Sequence, residues 1–205
     1  KLLFATGSAP FVPPMKGLDK VKNRFTFMKL DDAQALSSAL AKESRVLIIG
    51  AGLIGLKCCE GISKKVKEIT VIDMAQRILP SILDEDGSEI VKKHIENQGI
   101  KFILNNSVKE FKENNAYLQD GEKIEFDILV VAVGVRPETK LAAEIGCNVN
   151  RGIVTDKYCK TNLENVFAAG DCSESYDIAS DEIRVLALLP NAYMQGETAG
   201  INMAG

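Results

Sequence analysis

Short, unbroken apolar runs recur along the chain, each bounded by charged residues or glycines. Four of them predict strands buried on both faces of a parallel sheet, at residues 45–49, 68–73, 100–104 and 127–133. The first run shows the pattern, because Arg45 leads into four apolar residues of which three are β-branched. Buried strands alternating with helices predict an α/β fold.

Between and after these runs the apolar period becomes helical. Helices are predicted at residues 31–42, 56–64, 84–98, 139–145 and 190–204. Asp31 or Asp32 is the predicted N-cap of the first helix, and Gly99 follows the third as its C-terminal glycine. Pro190 begins the last helix, a position that proline favours.

Residues 108–126 break this alternation. Short segments at 108–111, 116–118 and 123–126 are separated by Asn114-Asn115 and Asp120-Gly121, which are hairpin turn signals. They predict an antiparallel meander inserted before the parallel strand at 127–133. Further short strands are predicted at residues 1–5, 152–156 and 167–171.

The turn after the first buried run carries the clearest chemistry. Gly50, Gly52 and Gly55 form a G-x-G-x-x-G pattern between a strand and a helix, and Asp73 ends the next strand 18 residues after Gly55. The glycines allow a tight turn, close approach of a pyrophosphate and close helix packing, while the carboxylate can accept from a ribose. The pattern predicts a dinucleotide site; the alternative is a tight turn without a ligand.

Composition excludes several classes of function. The 205 residues are 46% hydrophobic and 26% charged with a net charge of −3, which argues against nucleic-acid binding. Apolar runs fall far short of a membrane span. Five cysteines without C-x-x-C spacing indicate free thiols in a reducing cytoplasm. No metal-ligand spacing occurs.

Four motifs, in order, resemble those of the pyridine nucleotide–disulfide oxidoreductase family of FAD-containing enzymes. They are the Ala-Thr-Gly crossover at residues 3–10, the NAD fingerprint at 50–55 with Asp73, the sequence LVVAVGVRP at 129–137 and FAAGD at 167–171. Within the family, residues 53–57, 190–192 and 200–205 most resemble nitrite reductase flavin domains and rubredoxin reductases.

The resemblance implies a Rossmann-like NAD-binding domain at residues 33–151, with its meander, inserted into a discontinuous FAD-binding domain. Residues 1–32 and 152–205 would be segments of that FAD domain. The chain starts with Lys1 in a strand already under way, which favours a piece of a longer protein. The family's first FAD motif would precede Lys1 and its interface domain would follow Gly205, so the isolated piece is expected to hold FAD poorly and to be inactive.

The expected NAD contacts are the pyrophosphate turn, Asp73 at the adenosine ribose and Gly134 at the nicotinamide half. The turn comprises Gly50, Ala51, Gly52, Leu53, Ile54 and Gly55. Asp73 repels a 2′-phosphate, so NAD(H) is favoured over NADP(H), although Arg77 can swing toward a phosphate. Lys57 stands where many relatives have a glutamate and is a weaker candidate.

On the FAD side, the resemblance implies contacts from three pairs of residues: Thr6 and Gly7, Gly170 and Asp171, and Asn191 and Ala192. Asp171 would meet the ribityl–phosphate region of the flavin. The N-terminus of the last helix would face the flavin N1–C2 carbonyl region.

The expected function is that of a flavin-dependent NADH oxidoreductase. NADH would reduce FAD, which would pass electrons to rubredoxin, another redox centre, a disulfide or oxygen; a homo-oligomer is left open. The alternatives are a non-catalytic module that senses NAD(H) and a Rossmann oxidoreductase without flavin. FAAGD and the meander argue against the last.

Overall fold

The computed structural model describes all 205 residues, which form fifteen strands, five α-helices and two short 3₁₀ helices. The strands are β1 Leu2–Phe4, β2 Ser8–Pro10, β3 Arg24–Phe25, β4 Arg45–Ile49, β5 Glu68–Ile72, β6 Ile100–Ile103, β7 Val108–Lys112, β8 Asn115–Leu118, β9 Lys123–Glu125, β10 Ile128–Val131, β11 Val135–Pro137, β12 Ile153–Val154, β13 Val166–Ala168, β14 Ser173–Asp177 and β15 Glu182–Arg184. The helices are α1 Leu30–Ala39, α2 Leu53–Ile62, α3 Glu85–Glu96, α4 Lys140–Glu144 and α5 Leu189–Ala204, and the 3₁₀ helices are Leu18–Lys20 and Gly170–Cys172.

The chain divides into two compact units. The central unit is residues 10–134, and the split unit joins residues 1–9 to residues 135–205. These units are defined by contacts within the chain. The domain limits that the resemblance implies, after residues 32 and 151, stay a prediction.

The central unit is built on a five-stranded sheet with the order β3-β10-β4-β5-β6. Every neighbouring pair in it is parallel. Side chains of β4 alternate between two cores: Val46 and Ile48 pack with helix residues on one face, while Leu47 and Ile49 pack with the meander on the other. Burial on both faces explains the unbroken apolar runs.

The meander is antiparallel, with the order β7-β8-β9. Its Phe111 packs edge-to-face against Phe126, with ring centroids 5.9 Å apart. The first turn lies at Glu113-Asn114, one residue earlier than predicted, with Glu113 at a φ of +52°. The predicted fold class, a parallel sheet in an α/β fold with an antiparallel excursion, is confirmed.

Two predicted helix starts were wrong. α1 begins after Lys29, and Asp32 acts from the first turn, where its Oδ2 accepts the Lys29 N–H at 3.1 Å and the Met28 N–H at 2.9 Å. A carboxylate in the first turn can reach back in this way to the N–H groups of the N-cap residue and its predecessor. α2 begins at Leu53 rather than Leu56, immediately after the glycine turn.

The split unit contains short strands. β1 pairs with β13 in parallel, and β14 pairs in parallel with β12 and antiparallel with β15. The β14–β15 hairpin was not predicted, because residues 177–184 are mostly polar and every residue of β15 is exposed. The short strands β2, β3 and β11 were also missed.

The five cysteines are free and buried, as predicted for free thiols. Burial raises the pKa of both Cys58 and Cys59 to about 12, so neither is a ready nucleophile. None of the helices combines the length and apolar character that crossing a bilayer requires. No group of three or more histidine, cysteine or acidic side chains is arranged to hold a metal ion.

Candidate functional site

The turn that follows β4 begins with Gly50, where any other residue would be strained. Its φ is +110°, and a Cβ would overlap the carbonyl oxygen of Ala132. The Gly50 N–H donates to the Ile72 carbonyl at 2.8 Å, which ties the turn to the end of β5. The chain therefore turns sharply at the carboxyl edge of the sheet.

Gly55 and Gly52 meet different surroundings. A Cβ on Gly55 would overlap the Gly50 carbonyl oxygen, so glycine here lets α2 pack closely on β4. A Cβ on Gly52 would meet no atom within 4 Å. The protein itself needs Gly50 and Gly55, whereas the space at Gly52 is open and fits a ligand that approaches the backbone.

The N-terminus of α2 lies at this open space. Gly52 is its N-cap, and no side chain caps the helix. The Leu56 N–H donates to the Gly52 carbonyl at 3.0 Å, so the N–H groups of Leu53, Ile54 and Gly55 precede the first helical bond. An uncapped helix N-terminus beside open space suits an anionic group such as a pyrophosphate.

Asp73 lies directly after β5 and contacts the same turn. Its Oδ2 accepts the Ala51 N–H at 2.6 Å and its Oδ1 accepts the Ala75 N–H at 2.8 Å. The carboxylate is half-buried and forms no ion pair. The structure thus brings together the turn and the acid that sequence spacing linked, next to each other at the carboxyl ends of β4 and β5.

Gly134 and Lys57, the other predicted NAD contacts, lie outside the glycine turn. Gly134 follows β10, the other neighbour of β4, at a φ of +107°, and a Cβ there would meet nothing within 4 Å. It therefore sits at the same edge of the sheet as Gly50. Lys57 is exposed on α2, and its Nζ forms an ion pair with Glu60 Oε2 at 2.8 Å.

In the split unit, Gly170 and Asp171 form a turn after β13. Gly170 has a φ of +79°, and Asp171 Oδ2 accepts a hydrogen bond from Ser8 Oγ at 3.1 Å. Ser8 comes from the segment after β1, the parallel neighbour of β13. A hydrogen bond thus joins the crossover motif at residues 3–10 to the FAAGD motif at 167–171, at one edge of a strand pair.

The other predicted flavin residues lie around this turn. Thr6 Oγ1 donates to the Glu138 carbonyl at 2.6 Å, and Gly7, at a φ of +68°, accepts the Glu138 N–H at 2.9 Å. Asn191 and Ala192 are in the first turn of α5. The Ala192 Cβ lies 3.5 Å from where a Gly170 Cβ would be, so α5 begins beside the turn.

The start of α5 resembles that of α2. Its N-cap is Leu188, which supplies no side-chain hydrogen bond, and a proline occupies the first turn. Asn191 Nδ2 donates to the Leu186 carbonyl at 3.0 Å and so holds the incoming segment, leaving the helix end uncapped. Both units therefore present a helix N-terminus next to a strand-end acid.

Sequence reasoning missed two side chains at the Gly170–Asp171 turn, Ser8 and Gln195. Gln195 Oε1 accepts the Gly170 N–H at 2.7 Å. A signal for it exists, because Gln195 lies three residues after Ala192 and four before the fully buried Ala199. A polar side chain on the packed face of a helix needs partners there.

Comparison with known proteins agrees with the motifs. A family model described as pyridine nucleotide-disulphide oxidoreductase matches residues 1–196. An NADH oxidase of Methanocaldococcus jannaschii is 34% identical over 210 residues, covering 100% of this chain and 47% of the relative. The NAD(P)H nitrite reductase of Bacillus subtilis is 32% identical over 209 residues, covering 100% and 25%. The chain spans about half the length of such relatives, or less.

Two solved structures share the fold. A water-forming NADH oxidase from Lactobacillus brevis, bound to NADH, has a TM-score of 0.91 and 27% identity, covering 99% of this chain and 46% of its own. An engineered NADPH oxidase derived from it, bound to NADPH, has a TM-score of 0.91 and 25% identity with the same coverage. Two of its five substitutions replace a glycine by alanine and, 18 positions later, an aspartate by alanine.

Proposed function

Because the chain belongs to the pyridine nucleotide-disulphide oxidoreductase family, we propose that it is part of an FAD-dependent NADH oxidoreductase. Its central unit would bind NADH, and its split unit would supply part of the flavin site. The observation that carries this proposal is the open space at Gly52, beside the uncapped N-terminus of α2 and the Asp73 carboxylate.

The proposed NADH site uses backbone groups for the phosphates. The N–H groups at the start of α2 would bind the pyrophosphate, and Gly50 and Gly55 would keep the strand and helix close enough to form the turn. Asp73 would accept from the adenosine ribose while its present bonds to Ala51 and Ala75 hold its orientation. Gly134 would allow the nicotinamide half to approach the backbone.

The same residues favour NADH over NADPH. Asp73 places a negative charge where a 2′-phosphate would lie. Arg77, the cation nearest in sequence, has its guanidinium turned to backbone carbonyls, with Nη2 3.3 Å from the Pro80 oxygen and Nε 3.4 Å from the Leu83 oxygen. The engineered NADPH oxidase supports this preference, because it lost an aspartate at the same separation from a glycine as Asp73 from Gly55.

The split unit would hold part of the flavin. Thr6, Gly7, Gly170 and Asp171 line the ends of neighbouring strands, where ligands of parallel sheets bind. The positive end of α5, at Asn191 and Ala192, would face the electron-rich part of the reduced ring. FAD, when bound, accepts a hydride from NADH and passes electrons on; these residues position and polarise it.

The chain would be one part of the whole enzyme. It covers 47% of one relative and 25% of another, so we expect the remaining flavin contacts to come from other segments of a longer protein. The isolated 205 residues should then hold FAD weakly and turn over slowly. The acceptor would be rubredoxin, another redox centre, a disulfide or oxygen, in line with the varied names of its relatives.

The proposal is tested by adding NADH to the purified full-length protein without oxygen. We expect a yellow protein whose visible flavin absorption bleaches at one NADH per flavin, with kcat/KM at least tenfold higher for NADH than for NADPH. A colourless protein that binds NADH without any redox change would instead identify a sensing module. A preference for NADPH would contradict the role of Asp73.

A further inference from the structure

One side chain of α5 ties together the backbone that carries Asp171. Gln195 Oε1 lies 2.7 Å from the Gly170 N–H and 3.0 Å from Ser173 Oγ. Its Nε2 donates to Ser175 Oγ at 3.2 Å. One half-buried amide therefore contacts three residues between positions 170 and 175, all of them in the split unit.

The orientation of this amide is determined by its partners. The Gly170 N–H can only donate, so the Gln195 atom that faces it must be the oxygen. The nitrogen then points to Ser175. A glutamine held at both ends has one orientation available.

The amide completes the bonding of Gly170. Ser173 Oγ lies 2.8 Å from the Gly170 carbonyl oxygen as well as 3.0 Å from Gln195 Oε1. The N–H and the carbonyl of Gly170 are thus both held, one by Gln195 directly and one by its neighbour Ser173. Gly170 has a left-handed φ of +79°, a conformation that an unheld glycine would readily leave.

Asp171 depends on this arrangement without touching Gln195. Its side chain is held by Ser8 Oγ at 3.1 Å, and its backbone direction follows from Gly170. We propose that Gln195 is a positioning residue, which orders the Gly170–Asp171 turn so that the Asp171 carboxylate is aimed at the flavin before it binds. This inference rests on the proposed flavin function, and it follows the rule that binding groups work best when a surrounding layer of bonds holds them.

The test uses variants of the full-length flavoprotein. Gln195→Met keeps the length of the side chain and removes the hydrogen bonds to Gly170 and Ser175 together with the polar contact to Ser173. Gln195→Glu keeps the oxygen that accepts from Gly170. Asn202→Ala is the matched control, because Asn202 lies on the same helix and donates only to the Thr198 carbonyl. Ser175→Ala is a milder variant that removes only the bond to Nε2.

We measure the FAD dissociation constant of each variant, and the melting temperature of its flavin-free form. Gln195→Met should weaken FAD binding at least tenfold, Ser175→Ala and Gln195→Glu about threefold, and Asn202→Ala less than threefold. The inference is overturned if Gln195→Met binds FAD like the wild type, or if Gln195→Glu is as weak as Gln195→Met. It is also overturned if FAD affinity merely follows the melting temperature across the variants.

Measurements on the wild-type protein distinguish a failure of the proposed function from a failure of the Gln195 inference. If it binds FAD and is bleached by NADH, the proposed function holds, and the variants judge Gln195 alone. If it binds no FAD at all, both the proposed function and this inference are wrong. If Gln195→Met fails to fold, the FAD affinity of Ser175→Ala tests the role of Gln195 instead. An affinity equal to that of the wild type would then overturn the inference.

Discussion

The two ends of the five-stranded sheet in the central unit each carry an aspartate, in contrasting surroundings. Asp127 lies at the amino end, directly before β10, and binds Arg45 of β4. Asp73 lies at the carboxyl end, directly after β5, and accepts only backbone N–H groups. One acid is paired with a cation within the protein, and the other is not.

The amino end is closed by ion pairs between strands. Asp127 accepts the Arg45 backbone N–H at 2.8 Å, Nε at 3.1 Å and Nη2 at 3.0 Å, while Arg45 Nη1 contacts Glu125 at 2.9 Å. The Arg45 guanidinium holds the pKa of the Asp127 carboxyl below its usual range. Lys101 and Glu68 form a further pair between β6 and β5 at 2.6 Å.

The carboxyl end leaves its polar groups available. The first N–H groups of α2 precede its helical hydrogen bonds, the space at Gly52 is open and the Asp73 charge has no cation beside it. The Asp127 charge has its partner across the sheet, as a charge with a structural role does. The Asp73 charge is oriented by neutral N–H groups, as we expect of a charge that binds a ligand.

The largest effect of a substitution on NADH affinity should appear at the glycine turn, at the carboxyl end of the sheet. In Gly52→Ala the added methyl meets no protein atom but occupies the proposed pyrophosphate space. We expect the NADH dissociation constant to rise about 100-fold, which is about 2.7 kcal/mol, with the unfolding free energy changed by no more than about 1 kcal/mol. Titration calorimetry and urea unfolding measure the two quantities.

Gly50→Ala is the matched variant, in which we expect the loss to be in stability. Its methyl would overlap the Ala132 carbonyl at a φ that favours glycine, so this variant should lose about 3 kcal/mol or more of unfolding free energy. Equal NADH affinity in Gly52→Ala and wild type would show that the open space is not a binding site.

The next effect concerns the choice of cofactor. Asp73→Asn keeps the shape of the side chain and one of the two oxygens that accept backbone N–H groups, but removes the charge that we propose repels a 2′-phosphate. The ratio of kcat/KM for NADH to that for NADPH should fall about tenfold, roughly 1.4 kcal/mol of discrimination. Steady-state kinetics with both cofactors measure it, and Asp127→Asn is the control at the other end. An unchanged ratio would remove Asp73 from the account of specificity.

At the amino end the expected change is in stability alone. Asp127→Asn should lower the unfolding free energy at pH 7 by about 1 kcal/mol, a small value because Arg45 and Asp127 side chains are 36% and 39% exposed. NADH affinity should stay as in the wild type. A tenfold loss of NADH affinity would erase the distinction between the two ends.

This stability effect should depend on pH in one direction. The folded-state pKa of Asp127 is lowered, so the pair stabilises the protein fully above the unfolded-state pKa of about 4. Its contribution is lost as the pH falls through the lowered folded-state value. The difference between wild type and Asp127→Asn in urea unfolding should therefore close below pH 4.

The smallest effect is expected at Lys57. Its Nζ is engaged by Glu60 on the exposed side of α2, and no hydrogen bond or ion pair joins it to the glycine turn. Lys57→Ala should leave the rate of flavin reduction by NADH and the melting temperature unchanged in stopped-flow and calorimetric measurements. A slower reduction at saturating NADH would show a direct role.

Features that depend on local sequence were predictable. Continuous apolar runs identified β4, β5, β6 and β10, and glycine spacing located the turn, because burial and backbone freedom act residue by residue. The start of α1 was misjudged, because Asp32 accepts the Lys29 N–H from the first turn of the helix and is not itself the N-cap.

Features that depend on distant pairing were not predictable. Arg45 and Asp127 are 82 residues apart and meet only because β10 inserts beside β4. Gln195 is 25 residues from Gly170 and meets it only because α5 packs on the turn. No spacing rule connects such residues, and both pairs became visible only in three dimensions.

The most direct test of the account is a crystal structure of the full-length protein soaked with NADH. We expect a pyrophosphate over Gly52, within hydrogen-bond distance of the N–H groups at the start of α2, and an adenosine ribose hydroxyl bonded to Asp73. NADH bound away from this turn, or lying there without contact to Asp73, would contradict it.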